Sequence, residues 1–128
     1  MKDGIKILVG LDGSNYSNWA LFEAISLAKK FNGSIKVISV YKQDDEREAS
    51  KIQHKAKNLI ESEKIDCSFL AILGSNPSLA LVETARNENF DLIVVGSRGL
   101  SDAASFLMGS VSRKVVSKAD CNVLVVKK

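Results

Sequence analysis

Two clusters of small and polar residues interrupt otherwise apolar sequence, and both have the composition of an anion site. The first is Gly10-Leu11-Asp12-Gly13-Ser14, which presents a carboxylate and small residues at a helix entrance. The second is Gly96-Ser97-Arg98-Gly99, followed after nine residues by Gly109-Ser110-Val111-Ser112. Glycine carries no side chain, so backbone N–H groups can come close to a ligand. The first N–H groups of a helix have no intrahelical acceptor, and the helix dipole adds to their pull on negative charge. Ser110 and Ser112 add hydroxyl donors, and Arg98 offers a charged fork that pairs well with phosphate. Any one of these glycines has a plainer explanation in a tight turn or a helix cap. Their concurrence in one strand-loop-helix unit is what points to a phosphate chain.

The remaining reactive side chains do not assemble into chemistry. His54 falls on the polar side of a helical pattern, and Cys67 and Cys121 have no His or basic cluster beside them in sequence to activate a thiolate. Trp19 and Phe22 fall on the first helical segment, where packing accounts for them. There is no metal-ligand spacing, no GxxxxGK[ST] loop, no GxGxxG, and neither an HxGH nor an SGGxDS-like motif. Near the glycine-rich loop the only general-base candidates are Asp12 and Asp102, so rapid turnover is not expected.

For the two clusters to act together, they must meet at one edge of a sheet. Short β-branched runs at 5–11, 35–40, 92–95 and 123–126, with a weaker one at 67–73, read as strands. The runs 92–95 and 123–126 are apolar at every position, the habit of strands covered on both faces. Between the runs, apolar residues recur at helical spacing. They are Ala20, Leu21, Ala24, Ile25, Ala28 and Phe31, then Ala49, Ile52, Ala56, Leu59 and Ile60, then Leu79, Val82 and Ala85, and last Val111, Val115 and Ala119. Ser14 or Asn15 can cap the first helix and Gly33 close it after Asn32, while Asn76-Pro77 supplies an N-cap and a proline at the first helical position. The second helix is expected to be short, behind a polar approach at 43–48. Strict β-α alternation predicts an α/β fold, a parallel sheet with helices on both faces. Such sheets bind ligands beyond the carboxyl ends of strands, where strand order reverses. Both glycine clusters directly follow strands, and the stretch 97–109 is one of two long connections, at a place where long connections are often functional.

With 128 residues, 45% of them apolar, and no linker or repeat, the chain reads as one domain over 1–128. The net charge of +3 comes from scattered lysines, and the densest charge run, Asp44-Asp45-Glu46-Arg47-Glu48, is mixed in sign. Without a basic face interleaved with aromatics, no nucleic-acid partner is expected. No apolar run approaches the ~20 residues that cross a bilayer, so no membrane is expected. The start, Met1-Lys2-Asp3-Gly4, lacks the apolar core of an export signal. Two cysteines form no disulfide framework, which suits the reducing cytoplasm.

The pattern Gly96-x2-Gly99-x9-Gly109-Ser110 resembles the nucleotide-binding signature of the universal stress protein family, in its ATP-binding branch. The likeness runs along the chain, through Asp12 after the first strand, the Gly74-Ser75-Asn76-Pro77 turn and the closing strand at 121–126. The resemblance implies an open five-stranded parallel sheet in order 3-2-1-4-5. This fold is Rossmann-like and adenine nucleotide alpha hydrolase-like, with Asp12 and Gly96 flanking the switch point. It implies ATP as the ligand, with adenine read by backbone groups at Val40. Gly96, Arg98 and Gly99 would border the ribose and phosphates, and Gly109, Ser110, Val111 and Ser112 would hold the phosphate chain. Gly10 and Leu100 complete the implied contact set. Asp12 would lie near the ribose and phosphates, where a magnesium or manganese ion is its implied partner. The loop departs from the family's basic or Gly-rich habit at Asp102-Ala103-Ala104, and an inward Asp102 would repel phosphate. The function so implied is that of an ATP-binding regulatory or stress-response module rather than an enzyme. A slow ATP hydrolase and a ligand-free dimeric interaction module are the alternatives. In the implied order the last strand is an apolar edge, with charge only at Lys127 and Lys128, so a homodimer through that strand is expected.

Overall fold

A computed structural model describes residues 1–98 and 109–127. Along these residues run β1 (Lys6–Gly10), α1 (Asn15–Phe31), β2 (Ser34–Tyr41), α2 (Glu46–Ser62), β3 (Cys67–Leu73), α3 (Pro77–Asn87), β4 (Leu92–Gly96), α4 (Ser110–Lys118) and β5 (Asn122–Val126). The strands form one parallel sheet in the order β3-β2-β1-β4-β5, as the resemblance implied. The order reverses between β1 and β4, whose carboxyl ends therefore open side by side.

The period-two alternation of strand side chains splits the core in two. Ile7, Val9, Val37, Leu92 and Val94 pack under α1 and α2, against Ala20, Ala24, Ala28 and Ile60. Leu8, Ile38, Ile93 and Val95 pack on the other face under α3 and α4, against Leu81, Val82, Ala85 and Val115. The four residues from Leu92 to Val95 are buried, as expected for a strand covered on both faces.

The equally apolar β5 differs: Val126 alone is buried and Asn122 is exposed, because this strand forms the sheet edge. The second helix is not short; α2 has 17 residues, as many as α1, and the charged stretch supplies its start. Glu46 and Glu48 lie in its first turn, where acidic side chains favour the positive end of the helix dipole. On α3 the inward stripe is Ser78, Leu81, Val82 and Ala85, which leaves Leu79 49% exposed instead of inward. The left-handed residue that ends α1 is Asn32 itself, at φ 53°, with Gly33 following it. Asn76 caps α3 by accepting the Leu79 N–H at 3.2 Å.

Candidate functional site

The turn after β1 is held by side chains that bond to their own backbone. Gly13 has φ +88°, a left-handed conformation that glycine adopts without strain, and it turns the chain away from the sheet. Asp12 Oδ1 accepts the Ser14 N–H at 2.9 Å. Ser14 caps α1 by accepting the Ser17 N–H at 3.1 Å. Ser17 Oγ in turn donates to Ser14 O at 3.0 Å and accepts the Asp12 N–H at 3.3 Å. The Asp12 carboxylate is thus fixed at the mouth of the turn by the same bonds that start the helix.

At the end of β4, Gly96 lies against the first turn of α1. A Cβ at this position would stand 2.6 Å from the carbonyl carbon and oxygen of Tyr16. Ser97 donates its N–H to Val126 O at 2.8 Å, while its carbonyl accepts the Gly109 N–H. Ser112 Oγ donates to that same Ser97 carbonyl at 2.9 Å and lies 3.2 Å from Gly109 O. Ser112 is 1% exposed. Its hydroxyl proton is therefore committed inward, contrary to the sequence reading of that hydroxyl as a ligand donor. What the first turn of α4 offers at Val111 and Ser112 is backbone N–H, the kind of group that has no intrahelical acceptor at a helix start. Gly109, the N-cap residue, has no side chain to cover these groups.

A cleft with about 560 Å³ of empty space, partly open to solvent, lies between these elements. Its walls are Gly10, Leu11, Asp12, Ser17, Ile38, Val40, Pro77, Leu81, Val95, Gly96, Arg98, Val111 and Ser112. Ile38, Val40, Pro77, Leu81 and Val95 make an apolar side, and Asp12, Ser17 and Arg98 add polar groups. An apolar wall with a few convergent polar groups is the usual composition of a small-molecule site. Seven residues singled out from sequence meet here: Gly10, Asp12, Val40, Gly96, Arg98, Val111 and Ser112. Gly109 is buried and Ser110 exposed at the start of α4, and neither lines the cleft. Gly99, Leu100 and Asp102 lie outside the described residues. Sequence reasoning missed Leu11, Ser17, Ile38, Pro77, Leu81 and Val95. Ile38 and Val95 read there as strand residues, Ser17, Pro77 and Leu81 as helix residues, and Leu11 as the end of a strand run inside the first cluster. The Gly74–Pro77 turn was the one local sign that the start of α3 reaches the site.

The backbone of Val40 has a special place. The ladder between β2 and β3 runs to Tyr41, whose carbonyl accepts the Gly74 N–H at 2.9 Å. The ladder between β2 and β1 ends earlier, with the Leu11 N–H donating to Ile38 O at 2.9 Å. Successive residues of a strand bond to opposite neighbours. Ile38 faces β1 and Tyr41 faces β3, so Val40 turns its N–H and C=O toward the β1 side, where the chain has already left the sheet. A donor and an acceptor, one residue's worth, thus border the cleft beside an apolar wall.

Elsewhere, burial pushes the thiols of Cys67 and Cys121 above their usual range, with Glu61 and Asp120 respectively adding to the shift, so neither is an activated nucleophile. Among the described residues no three His, Cys, Asp or Glu side chains gather as a metal cluster, and no helix is long and apolar enough to cross a membrane.

Comparison with known proteins agrees with this fold. The model of the universal stress protein family matches residues 5–127. A relative from Staphylococcus aureus (strain USA300), provisionally named a universal stress protein, is 30% identical over 137 residues, covering 94% of this chain and 82% of its own length. Among solved structures, the universal stress protein UspA of Lactobacillus plantarum superimposes with a TM-score of 0.85 at 19% identity, covering 99% of this chain and 100% of its own. A universal stress protein solved in complex with cAMP is 30% identical with a TM-score of 0.80, covering 98% of each chain. This chain belongs to the universal stress protein family.

Proposed function

We propose that this chain binds an adenine nucleotide, ATP by preference, in the cleft at the carboxyl ends of β1, β2 and β4, and acts as a nucleotide-dependent regulatory module. One observation carries the reading. An apolar slot bordered by the outward backbone of Val40 opens onto the glycine-capped start of α4, so one cleft offers a purine its edge and its faces while presenting N–H groups to phosphate. The relative bound to cAMP supports the adenine class. Among the described lining residues, Asp12 is the one carboxylate. A magnesium or manganese ion there would take one protein ligand and draw the rest from phosphate and water, as magnesium commonly does. With no second acid or base beside it among the described lining residues, binding outweighs turnover in this reading. Isothermal titration with ATP, ADP, AMP and cAMP, together with assay of nucleotide released from freshly purified denatured protein, tests it. Saturable binding of adenine nucleotides is expected. An empty preparation that also fails to bind any of them overturns the reading, and multiple turnovers at about 1 s⁻¹ or faster would make the protein an enzyme instead.

We further propose a homodimer through β5. Among the described residues its outer edge is unpaired, and Val123, Leu124 and Val125 are each only half-buried. Pairing of two such edges about a two-fold axis would satisfy their N–H and C=O groups and cover these side chains. The two free thiols suit action in the reducing cytoplasm.

A further inference from the structure

We propose that Ser39 is a positioning residue for the base: its hydroxyl engages the Leu11 carbonyl and so leaves the Val40 N–H directed into the cleft. The inference rests on the reading that an adenine base lies against Val40.

The β1–β2 register pairs Gly10 with Ile38. Continued by one step, the same ladder would join the Val40 N–H to Leu11 O and the Gly13 N–H to Val40 O. Neither bond is made among the described residues. Ser39 Oγ donates to Leu11 O instead, at 2.7 Å, the ordinary length of a good O–H···O bond. Ser39 is buried, and strand alternation puts its side chain on the face of Val37, opposite to that of Val40. The bond therefore holds the Leu11 carbonyl toward the α1–α2 face, off the line of the Val40 N–H. The left-handed turn at Gly13 removes the other rung.

The plainer account of Ser39 is that it satisfies a buried carbonyl. That carbonyl, however, has a ready partner in the Val40 N–H, one ladder step away. The serine is not needed to satisfy Leu11 O; what it decides is which donor is left over. The group left over faces the cleft. Adenine presents an acceptor (N1) beside a donor (the N6 amino group), the complement of one residue's N–H and C=O. Guanine presents the reverse pair on that edge. A free Val40 N–H thus selects adenine over guanine, and Ser39 keeps it free.

Amide hydrogen exchange of the ligand-free protein tests the first link. The Val40 amide should exchange much faster than that of Ile38 in the wild type, and should slow about tenfold or more in Ser39→Ala, as the Val40–Leu11 rung forms. Calorimetric titration tests the second. Ser39→Ala should weaken ATP about five- to tenfold, the effect of one hydrogen bond, and lower the ATP-over-GTP preference by a similar factor. It should leave inorganic triphosphate binding unchanged. Ser39→Thr, which keeps the hydroxyl, should restore both the exchange rate and the base preference. An equally protected Val40 amide in wild type and Ser39→Ala, or an unchanged ATP-to-GTP ratio in Ser39→Ala, overturns the proposal. Wild-type protein that binds no adenine nucleotide overturns the base reading itself, an outcome distinct from a failure confined to the Ser39 variants.

Discussion

Replacing Gly96 with alanine should destabilise the fold, because this glycine is required by packing before any ligand arrives. The new methyl would stand 2.6 Å from the backbone of Tyr16, and backbone cannot swing aside as the end of a side chain can. Either α1 or the end of β4 must shift, and overpacking of this kind costs typically 1–3 kcal/mol, taken here as about 2. With an unfolding entropy of ~2.1 cal/mol/K per residue over 128 residues, or ~0.27 kcal/mol/K, the midpoint should fall by about 7 °C. Gly74→Ala is the matched control, since its methyl would meet only a Val40 methyl at 3.8 Å, an ordinary contact. Differential scanning calorimetry of wild type and both variants is the assay. The shift should be confined to Gly96→Ala. Nucleotide affinity should fall with it, because relieving the clash moves the first turn of α1, whose Ser17 helps to hold Asp12. A Gly96→Ala protein as stable as Gly74→Ala would refute the packing argument. Lost binding at full stability would show that the glycine serves ligand approach instead.

Gly109→Val should weaken ATP by about 30-fold or more, ~2 kcal/mol, through a branched side chain at a buried helix entrance beside the proposed phosphate path; unchanged affinity in calorimetric titration of the folded variant removes α4 from the site. On the edge strand, Ser97 donates to Val126 O, so Leu124 also faces β4 while the N–H of Val125 points outward. Val125→Pro should therefore dissociate the dimer with little loss of fold, whereas Leu124→Pro breaks a rung within the sheet and should lower the midpoint of the monomer. Light scattering and calorimetry separate the two effects, and a wild type that is monomeric at micromolar concentration ends the dimer proposal. Partial burial raises the Asp91 pKa, but the Lys6 N–H at 2.8 Å and the Lys2 ammonium at 3.1 Å outweigh it and hold the carboxyl below its usual value. A depressed folded-state pKa stabilises fully above the unfolded value of about 4 and loses that contribution as pH falls through the folded one. Wild type should thus exceed Asp91→Asn in stability at pH 7, with the gap closing below about pH 4 in denaturant titrations. A gap that stays constant into acid would mean that the charge contributes nothing.

Much of this molecule is written in local pattern. Apolar periods of two and 3.6 are properties of neighbouring residues, so the alternation of strands and helices was legible, as were the caps at Ser14 and Asn76-Pro77. The sheet order became an expectation through the family resemblance carried by Gly96, Gly99, Gly109 and Ser110, and the structure bears it out. The sequence also brought Asp12, Arg98 and Val111 forward as candidates, and the fold gathers them at one cleft. Other features had no local signal, because they depend on pairing between residues far apart in the chain. The register of β1 on β2 leaves the Val40 backbone outside the ladder, and it gives Ser39 a carbonyl to hold. The approach of α1 to β4 gives Gly96 a packing role that a reading of loop glycines could not contain. The fold of α4 back onto Ser97 engages the Ser112 hydroxyl with the carbonyls of Ser97 and Gly109. The register of β5 on β4 decides which valine presents its N–H to a partner. Side-chain pattern along a chain reports which face is apolar; hydrogen-bond phase between strands is set only when the strands meet.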